Sequence, residues 1–317
     1  MPAKQSLSFA LEPRATLPFD DYVVDCAWSP DGSQLAVAGG EGKVALLSAA
    51  PDSLSLKVVG EHLLGTLAIA WQPHGRRFAS AGQDGAVAIW DAEHARELVR
   101  FKPGLGAAQA LQYAPNGELL AVAAGKVVSL WSPSGEKVHA FAPAASTAVA
   151  LAFDKPGIDI GVALNGEIAV HRIEKSRYET RRYKWPAPSL TVNFSGNGRY
   201  LASGMADGTL HFWNRSTGND VVLWDFSGRG PEGTRPVVLS GHTDRVDSFA
   251  WQPGGEHLVS GGRDWRLALW RPGKSREAID VQMTDSGISV LRWSADGRRV
   301  AVGEKQGRVT VFELVSR

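Results

Sequence analysis

Residues 241–270 read GHTDRVDSFAWQPGGEHLVSGGRDWRLALW, and the spacing of Trp and Gly within them predicts the fold. Trp251 ends a short apolar run and is followed four residues later by Gly255, and Trp270 ends another run 19 residues after Trp251. Runs of this length, bounded by turns that contain Pro and Gly, are typical of short strands. The stretch therefore predicts β-hairpins.

The same spacing recurs along the whole chain. Seven aromatic residues each precede a glycine by four positions, and they lie 40 to 43 residues apart except for one gap of 57. These first anchors are Trp28, Trp71, Tyr113, Phe153, Phe194, Trp251 and Trp293. No sustained apolar stripe of helical period is present, so seven repeats of two hairpins each predict an all-β fold.

Two of the repeats share a further set of four residues. In the second and sixth repeats a His lies nine residues before the first anchor, a Ser nine residues after it, an Asp four residues after the Ser, and a Trp ends the next run. The two sets are His62, Ser80, Asp84 and Trp90, and His242, Ser260, Asp264 and Trp270. The fifth repeat keeps Ser203, Asp207 and Trp213 but has Trp185 in place of His.

These residues resemble the WD-repeat β-propeller family, and the resemblance extends over all seven repeats. It implies a single domain over residues 1–317, with seven four-stranded antiparallel blades around a channel. The last blade lacks a fourth strand, so we expect the segment near residues 14–18 to supply it and close the ring. About 15 extra residues, roughly 219–234, are expected to join the third strand of the fifth blade to its fourth, on the face opposite Trp265.

Composition narrows the functional classes. The chain has 34 basic and 33 acidic residues, a net charge of +1 and one cysteine, Cys26. No uninterrupted apolar stretch of membrane-spanning length and no N-terminal leader pattern occurs. We expect a cytoplasmic protein without a bound cofactor, which acts as a monomer or within a larger complex and contacts other proteins rather than membranes or nucleic acid.

The Ser, His and Asp residues of the second and sixth repeats are the types that hydrolases use. Because two copies stand at the structural positions of the family, we interpret them as buried hydrogen-bond networks. The inner-strand position three residues before each first anchor carries only one acid, Asp25. The eight histidines show no metal-ligand spacing either. We therefore predict no enzyme activity and no metal site, with a propeller hydrolase that uses the channel or a loop pocket as the alternative.

Residues 172–185 form the most basic segment of the chain, with six cations, two acids, Tyr178 and Tyr183. Such a segment is a candidate for nucleic-acid binding, which is a further alternative function. The interpretation that we favour is an outermost strand with a solvated charged face.

Trp265 occupies a turn position where five of the other six repeats carry Gly. A bulky residue there predicts either a strained or altered turn or a side chain on the surface. Trp and Arg are favoured at interface hot spots, so we predict a non-catalytic interaction scaffold that binds a partner protein here. The hypothetical contact residues are Trp265, Arg263, Arg245, Asp247 and Asp244, together with Trp224 and Phe226 of the extra segment.

Overall fold

The computed structural model describes residues 9–50, 53–174, 177–194, 200–204, 206, 210–214, 221–224, 241–244, 246–271, 275 and 277–316. All regular structure within these ranges is β-strand. Within the same ranges, no helix is long and apolar enough to cross a membrane.

The strands follow one another along the chain with short connections. The first nine are β1 (Phe9–Pro18), β2 (Val23–Trp28), β3 (Gln34–Gly39), β4 (Lys43–Ala50), β5 (Ser53–Glu61), β6 (Thr66–Trp71), β7 (Arg77–Gly82), β8 (Val87–Asp91) and β9 (Arg96–Phe101). The next nine are β10 (Ala108–Tyr113), β11 (Leu120–Ala124), β12 (Val127–Trp131), β13 (Lys137–Ala140), β14 (Ala150–Phe153), β15 (Asp159–Glu174), β16 (Arg177–Pro188), β17 (Asn193–Phe194) and β18 (Tyr200–Gly204). The last nine are β19 (Leu210–Asn214), β20 (Val221–Trp224), β21 (Val246–Trp251), β22 (Leu258–Gly262), β23 (Arg266–Trp270), β24 (Asp280–Met283), β25 (Ile288–Trp293), β26 (Arg299–Glu304) and β27 (Arg308–Ser316).

The chain divides into two compact units. The first comprises Met1–Glu61 and Val237–Arg317, and the second comprises His62–Pro236. The first unit contains the four-stranded sheets β2-β3-β4-β5, β21-β22-β23-β24 and β1-β27-β26-β25. The second contains β6-β7-β8-β9, β10-β11-β12-β13, β14-β15-β16 and β17-β18-β19-β20. The sheets are antiparallel, as predicted for the seven repeats, while the single domain over residues 1–317 stays a prediction.

The sheet β14-β15-β16 also contains four extended segments, because β15 folds back on itself. An extended strand of its 16 residues would span about 50 Å. Yet the backbone N–H of Ile173 donates to the carbonyl oxygen of Ile158 over 2.7 Å. The reversal lies at Asn165-Gly166, where Gly166 has φ +80°, and Asn-Gly is the dipeptide most typical of a two-residue hairpin turn. The first half of β15 pairs with β14 and the second half with β16.

The N-terminal segment supplies the fourth strand of the sheet that contains the C-terminal strand. Strand β1 pairs antiparallel with β27 from Phe9 opposite Ser316 to Pro18 opposite Arg308. The predicted pairing near residues 14–18 is therefore present and extends to Phe9. It joins the two ends of the chain through a ladder of backbone hydrogen bonds and covers an edge that β27 would otherwise expose.

Apolar faces of neighbouring sheets pack together within each unit. In the first unit one cluster combines Val23, Trp28 and Leu35 with Val290 and Val309 of the adjoining sheet. The indole N–H of Trp28 donates to the carbonyl of Arg292 at 3.1 Å, and Trp293 makes the equivalent bond to Ala250 at 3.0 Å. Trp28 and Trp293 thus each join one sheet to the next by burial and by a hydrogen bond.

The predicted position of the extra segment in the fifth repeat is wrong. Residues 221–224, which we assigned to the connection between third and fourth strands, are themselves the fourth strand, β20. Trp213 pairs with Val221 and Leu210 with Trp224, because a run of Val, Val, Leu and Trp favours a strand. The extra residues therefore follow the fourth strand, and this removes the basis for placing them opposite Trp265. Residues 225–240 lie outside the described part of the chain.

Candidate protein-interaction site

In the second repeat, four side chains form one chain of hydrogen bonds. The indole N–H of Trp90 donates to the Ser80 hydroxyl at 2.8 Å, and Nε2 of His62 lies 2.8 Å from the same hydroxyl. Nδ1 of His62 lies 3.3 Å from Oδ1 of Asp84, whose carboxylate also accepts the backbone N–H groups of Leu63 and Ala86. Since indole can only donate and a carboxylate can only accept, the protons run from Trp90 through Ser80 and His62 to Asp84.

The sixth repeat builds the same network. Trp270 donates to Ser260 at 2.7 Å, Ser260 lies 2.7 Å from Nε2 of His242, and Nδ1 of His242 lies 2.9 Å from Oδ2 of Asp264. Burial raises the pKa of Asp264, but hydrogen bonds from the Thr243 backbone N–H, from His242 and from the Arg266 backbone N–H outweigh it. They hold the pKa of Asp264 below its usual value. The carboxylate therefore stays charged and fixes the loop before β21.

These networks are structural in their chemistry. Ser80 is fully buried and Ser260 is 7% exposed, so neither hydroxyl is presented to a substrate. The order Ser, His, Asp is the one that activates a serine in hydrolases, but here each hydroxyl also accepts an indole N–H and lies inside the sheet, away from any substrate. Burial also lowers the pKa of His62, which keeps that imidazole neutral at neutral pH. A hydrolase built on these residues would need an exposed nucleophile.

In other repeats, two buried carboxylates that were not predicted from the sequence accept backbone N–H groups as Asp84 and Asp264 do. Asp21 is 5% exposed and accepts the backbone N–H of Glu41 at 2.9 Å. Glu304 is 1% exposed, and one of its oxygens accepts the backbone N–H groups of Asp285 and Ser286 at 3.1 and 3.0 Å. Burial raises the pKa of Glu304. Glu304 stands next to the turn where the family places Asp, which was an available signal, whereas Asp21 precedes β2 and reaches the turn after β3 from the opposite loop.

Asp25, the single acid at the inner-strand position three residues before each first anchor, already has a partner. Asp25 pairs with Arg292 through Oδ1 and Nη2 at 2.8 Å, and the Asp25 carboxylate raises the pKa of Arg292. Cys26 beside it is 2% exposed, and burial raises the pKa of its thiol to about 12. Across the described ranges, no group of three or more His, Cys, Asp or Glu side chains is placed to hold a metal ion.

Of the basic segment 172–185, residues 172–174 end β15, and residues 177–185 lie on β16, the outermost strand of its sheet. Two of its cations contact carboxylates, since Arg182 pairs with Glu167 and Nε of Arg172 lies 3.9 Å from Asp159. Tyr183 is buried. Part of the positive charge is thus neutralised within the sheet, which weakens the nucleic-acid alternative.

Trp265 has both a strained backbone and a side chain on the surface, which its position in the turn predicted as alternatives. Its backbone has φ +63°, and its side chain is 47% exposed. The glycines at the same turn position have φ +121°, +76°, +80° and +77° in other repeats, at Gly42, Gly85, Gly166 and Gly307. Thr284 fixes the turn, because its backbone N–H and its hydroxyl donate to the Trp265 carbonyl at 2.9 and 3.0 Å. Trp265 is therefore held in a left-handed conformation that usually favours Gly.

Charged groups lie next to this turn within the first unit. Asp247 is shared by Arg263, whose Nε lies 3.9 Å away, and by Lys305, which the sequence analysis did not include. Asp244 is exposed in a loop that bonds to the turn through the Thr243 N–H and Asp264. Arg245 and Phe226 lie outside the described residues, and Trp224 lies on β20 in the other unit. We call Trp265, Arg263, Asp244, Asp247 and Lys305 the Trp265 surface.

Antiparallel sheets that repeat along the chain and carry His-Ser-Asp-Trp networks at a fixed spacing define the WD-repeat class of β-propeller proteins. Comparison with protein families supports this assignment. The model of the WD domain, G-beta repeat, matches residues 11–46, 55–91, 186–214 and 233–271. Four stretches of the chain, together less than half of its length, therefore match the repeat of the WD-repeat family.

Several curated relatives have names that refer to multiprotein complexes. THO complex subunit 3 of Arabidopsis thaliana is 30% identical over 127 residues, which are 39% of this chain and 36% of the relative. COMPASS component SWD1 of Saccharomyces cerevisiae is 30% identical over 128 residues, 40% of this chain and 26% of the relative. Cell division cycle 20.1, cofactor of APC complex, of Arabidopsis thaliana is 27% identical over 249 residues, 72% of this chain and 50% of the relative. The matched part is thus half or less of the length of each relative.

Proposed function

We propose that this protein is a non-catalytic interaction scaffold and that the Trp265 surface contacts a partner protein. The names of three relatives, a subunit, a component and a cofactor of complexes, support a role in protein assembly. WD-repeat proteins are generally adaptors without catalytic activity. The proposed location is the cytoplasm, which accords with a single, buried and unpaired cysteine.

The observation that carries the proposal is the strained and exposed Trp265. A non-glycine residue in the left-handed region costs about 1–2 kcal/mol, and exposure of half of an indole recovers little of this cost. Glycine would relieve the strain at once. A large aromatic side chain held outward at such a position is what a binding hot spot requires.

The charges beside Trp265 suit a polar rim around an aromatic anchor. Arg263, two residues before Trp265, is 55% exposed in its side chain and shares Asp247 with Lys305, so its guanidinium remains open to a partner. Asp244 supplies an exposed acid on the neighbouring loop. Because strands β22 and β23 fix both ends of the turn, little conformational entropy is lost on binding.

Replacing Trp265 by Gly should raise the free energy of unfolding by about 1 kcal/mol, because the backbone strain disappears. The same change should abolish or strongly weaken partner recovery in affinity capture. Trp265→Ala is the matched variant: it also removes the indole but keeps a Cβ in the left-handed conformation. It should lose the partner without the gain in stability.

Urea denaturation and quantitative capture from the native cell measure the two effects. Undiminished recovery of every partner with both variants would show that Trp265 is not a binding residue. Equal stability of the Gly and Ala variants would show that the backbone at position 265 is not strained. Val58→Ala, at a site 53% exposed on β5 of the same unit, is the control for loss of an exposed apolar side chain.

A further inference from the structure

Three leucines are strongly exposed in the second unit. Leu63, Leu64 and Leu105 are 71%, 77% and 96% exposed. They lie in the loops that lead into β6 and β10, the first strands of two sheets whose apolar faces share one core cluster. Single exposed apolar residues are ordinary on protein surfaces, but a group of them marks an interaction site.

Backbone contacts place the two loops that hold the three leucines against one turn. The backbone N–H of Gln83 donates to the carbonyl of Gly65 at 2.9 Å, which ties the Leu63-Leu64 loop to the turn after β7. A Cβ on Gly85 of that turn would lie 2.6 Å from the carbonyl oxygen of Gly106, so the turn packs directly against the loop that holds Leu105. The leucines therefore flank a turn whose close approach requires Gly.

The backbone holds at least one of these side chains outward against a conformational cost. Leu64 has φ +69°, a left-handed conformation that a leucine rarely adopts. The loop is fixed in place by the bond from the Leu63 N–H to Asp84 of the buried network at 3.2 Å. The same network that stabilises the second repeat thus presents the leucines.

Two lysines lie beside Leu105, whereas the Leu63-Leu64 loop follows the exposed Glu61 and contacts the Asp84 carboxylate. Lys102 lies three residues before Leu105, and Lys126 follows Gly125, where a Cβ would lie 3.0 Å from the Leu105 carbonyl oxygen. Both lysines are exposed, and neither has an ion-pair partner among the residues that the structure describes. The nearby Glu97 is already engaged by Arg100 at 2.6 Å.

We propose that Leu63, Leu64 and Leu105, with Lys102 and Lys126, form a second docking surface that binds a short acidic amphipathic segment of a partner protein. The leucines would receive the apolar face of the segment, and the two lysines would pair with its carboxylates. Two lysines are fewer than the four to eight basic residues that recruit anionic membranes, so a protein segment fits better than a lipid surface.

The test uses a fluorescein-labelled peptide with Leu at helical spacing and Glu at the other positions, and a second peptide with Lys in place of Glu. Fluorescence anisotropy measures their binding to the full chain. The wild-type protein should bind the acidic peptide and discriminate against the basic one. Leu64→Glu should weaken binding of the acidic peptide about tenfold or more, and Lys102→Glu with Lys126→Glu should reverse the charge preference.

Two variants serve as controls. Leu98→Glu changes a leucine that is 39% exposed on β9 of the same unit, and Trp265→Gly removes the surface proposed above. Both should bind like wild type, so that failure of this proposal is distinguishable from failure of the Trp265 surface. Circular dichroism establishes that each variant is folded. The proposal is overturned by absent binding, by equal affinity for both peptides, by full affinity of Leu64→Glu, or by Leu64-dependent sedimentation with phosphatidylserine vesicles in place of peptide binding.

Discussion

Replacing Ser80 by Ala should lower the free energy of unfolding by about 2–4 kcal/mol, because two buried polar groups lose their partner at once. The Ser80 hydroxyl is 2.8 Å from both Nε1 of Trp90 and Nε2 of His62, and Ser80 and His62 are almost completely buried. Water cannot replace the hydroxyl without a cavity to hold it. The unfolding free energy should therefore fall by nearly the whole desolvation penalty of the Trp90 N–H and of His62 Nε2.

Ser129→Ala is the matched control in the same unit. Ser129 is also fully buried and accepts the indole N–H of Trp131 at 2.8 Å, but no histidine contacts its hydroxyl. It should cost about 1 kcal/mol, as expected for one lost hydrogen bond. Urea denaturation followed by tryptophan fluorescence measures both variants. Equal losses for Ser80→Ala and Ser129→Ala would contradict the coupled role of His62.

Acidification should destabilise the protein by about 3 kcal/mol through His171 alone. His171 is 7% exposed, its ring stacks on Phe141 with centroids 4.0 Å apart, and Nδ1 lies 2.8 Å from the Thr180 hydroxyl. Burial, together with the nearby charge of Arg182, lowers the pKa of His171 to about 4. The unfolded chain titrates near pH 6.5 and so binds the proton first.

The sign follows from linkage. Above about pH 6.5 both states are neutral at His171 and the residue contributes no pH dependence. As the pH falls from about 6.5 to about 4, the unfolded state gains a proton that the folded state does not bind, so stability decreases across this window. Below about pH 4 the contribution of His171 is constant.

His171→Gln isolates this effect, because it keeps a polar group opposite Thr180 but cannot be protonated. The difference in unfolding free energy between wild type and variant should change by about 3 kcal/mol between pH 7 and pH 4. His62 and His257, whose pKa values are also lowered, contribute equally to both proteins and cancel, whereas the charge of His139 also lowers the pKa of His171 and is coupled to it. A difference that does not change with pH would contradict the burial of a neutral His171.

Features with a strict spacing could be predicted from the sequence. Trp28 and Trp293 stand at the same position of their repeats because each bonds to the neighbouring sheet. The networks of the second and sixth repeats share one spacing because the same four side chains must form one chain of hydrogen bonds. The N-terminal strand followed from counting strands, since an unfinished sheet edge needs a partner. These features depend on the spacing of residues within a repeat, which can be read from the sequence.

Features that depend on packing in three dimensions could not be predicted in this way. Asp21 and Glu304 perform the role of the family Asp from other positions, because the loop needs a buried acceptor but not at a fixed residue number. The extra segment was misplaced because residues 221–224 read equally well as an insertion or as a strand until their pairing with β19 is known. The sequence pattern predicted either a strained turn at Trp265 or an exposed side chain. The structure has both, with Thr284 holding the Trp265 carbonyl and the indole half exposed.

Photo-cross-linking tests whether the protein binds a partner through the Trp265 surface. The photoreactive amino acid p-benzoylphenylalanine replaces Trp265 in one protein and Val58 in a control, each expressed as the full chain in the native cell. Irradiation should link a partner protein at position 265 and not at position 58, with mass spectrometry placing the linked peptide beside the turn. Absence of any protein adduct specific to position 265 would contradict the account.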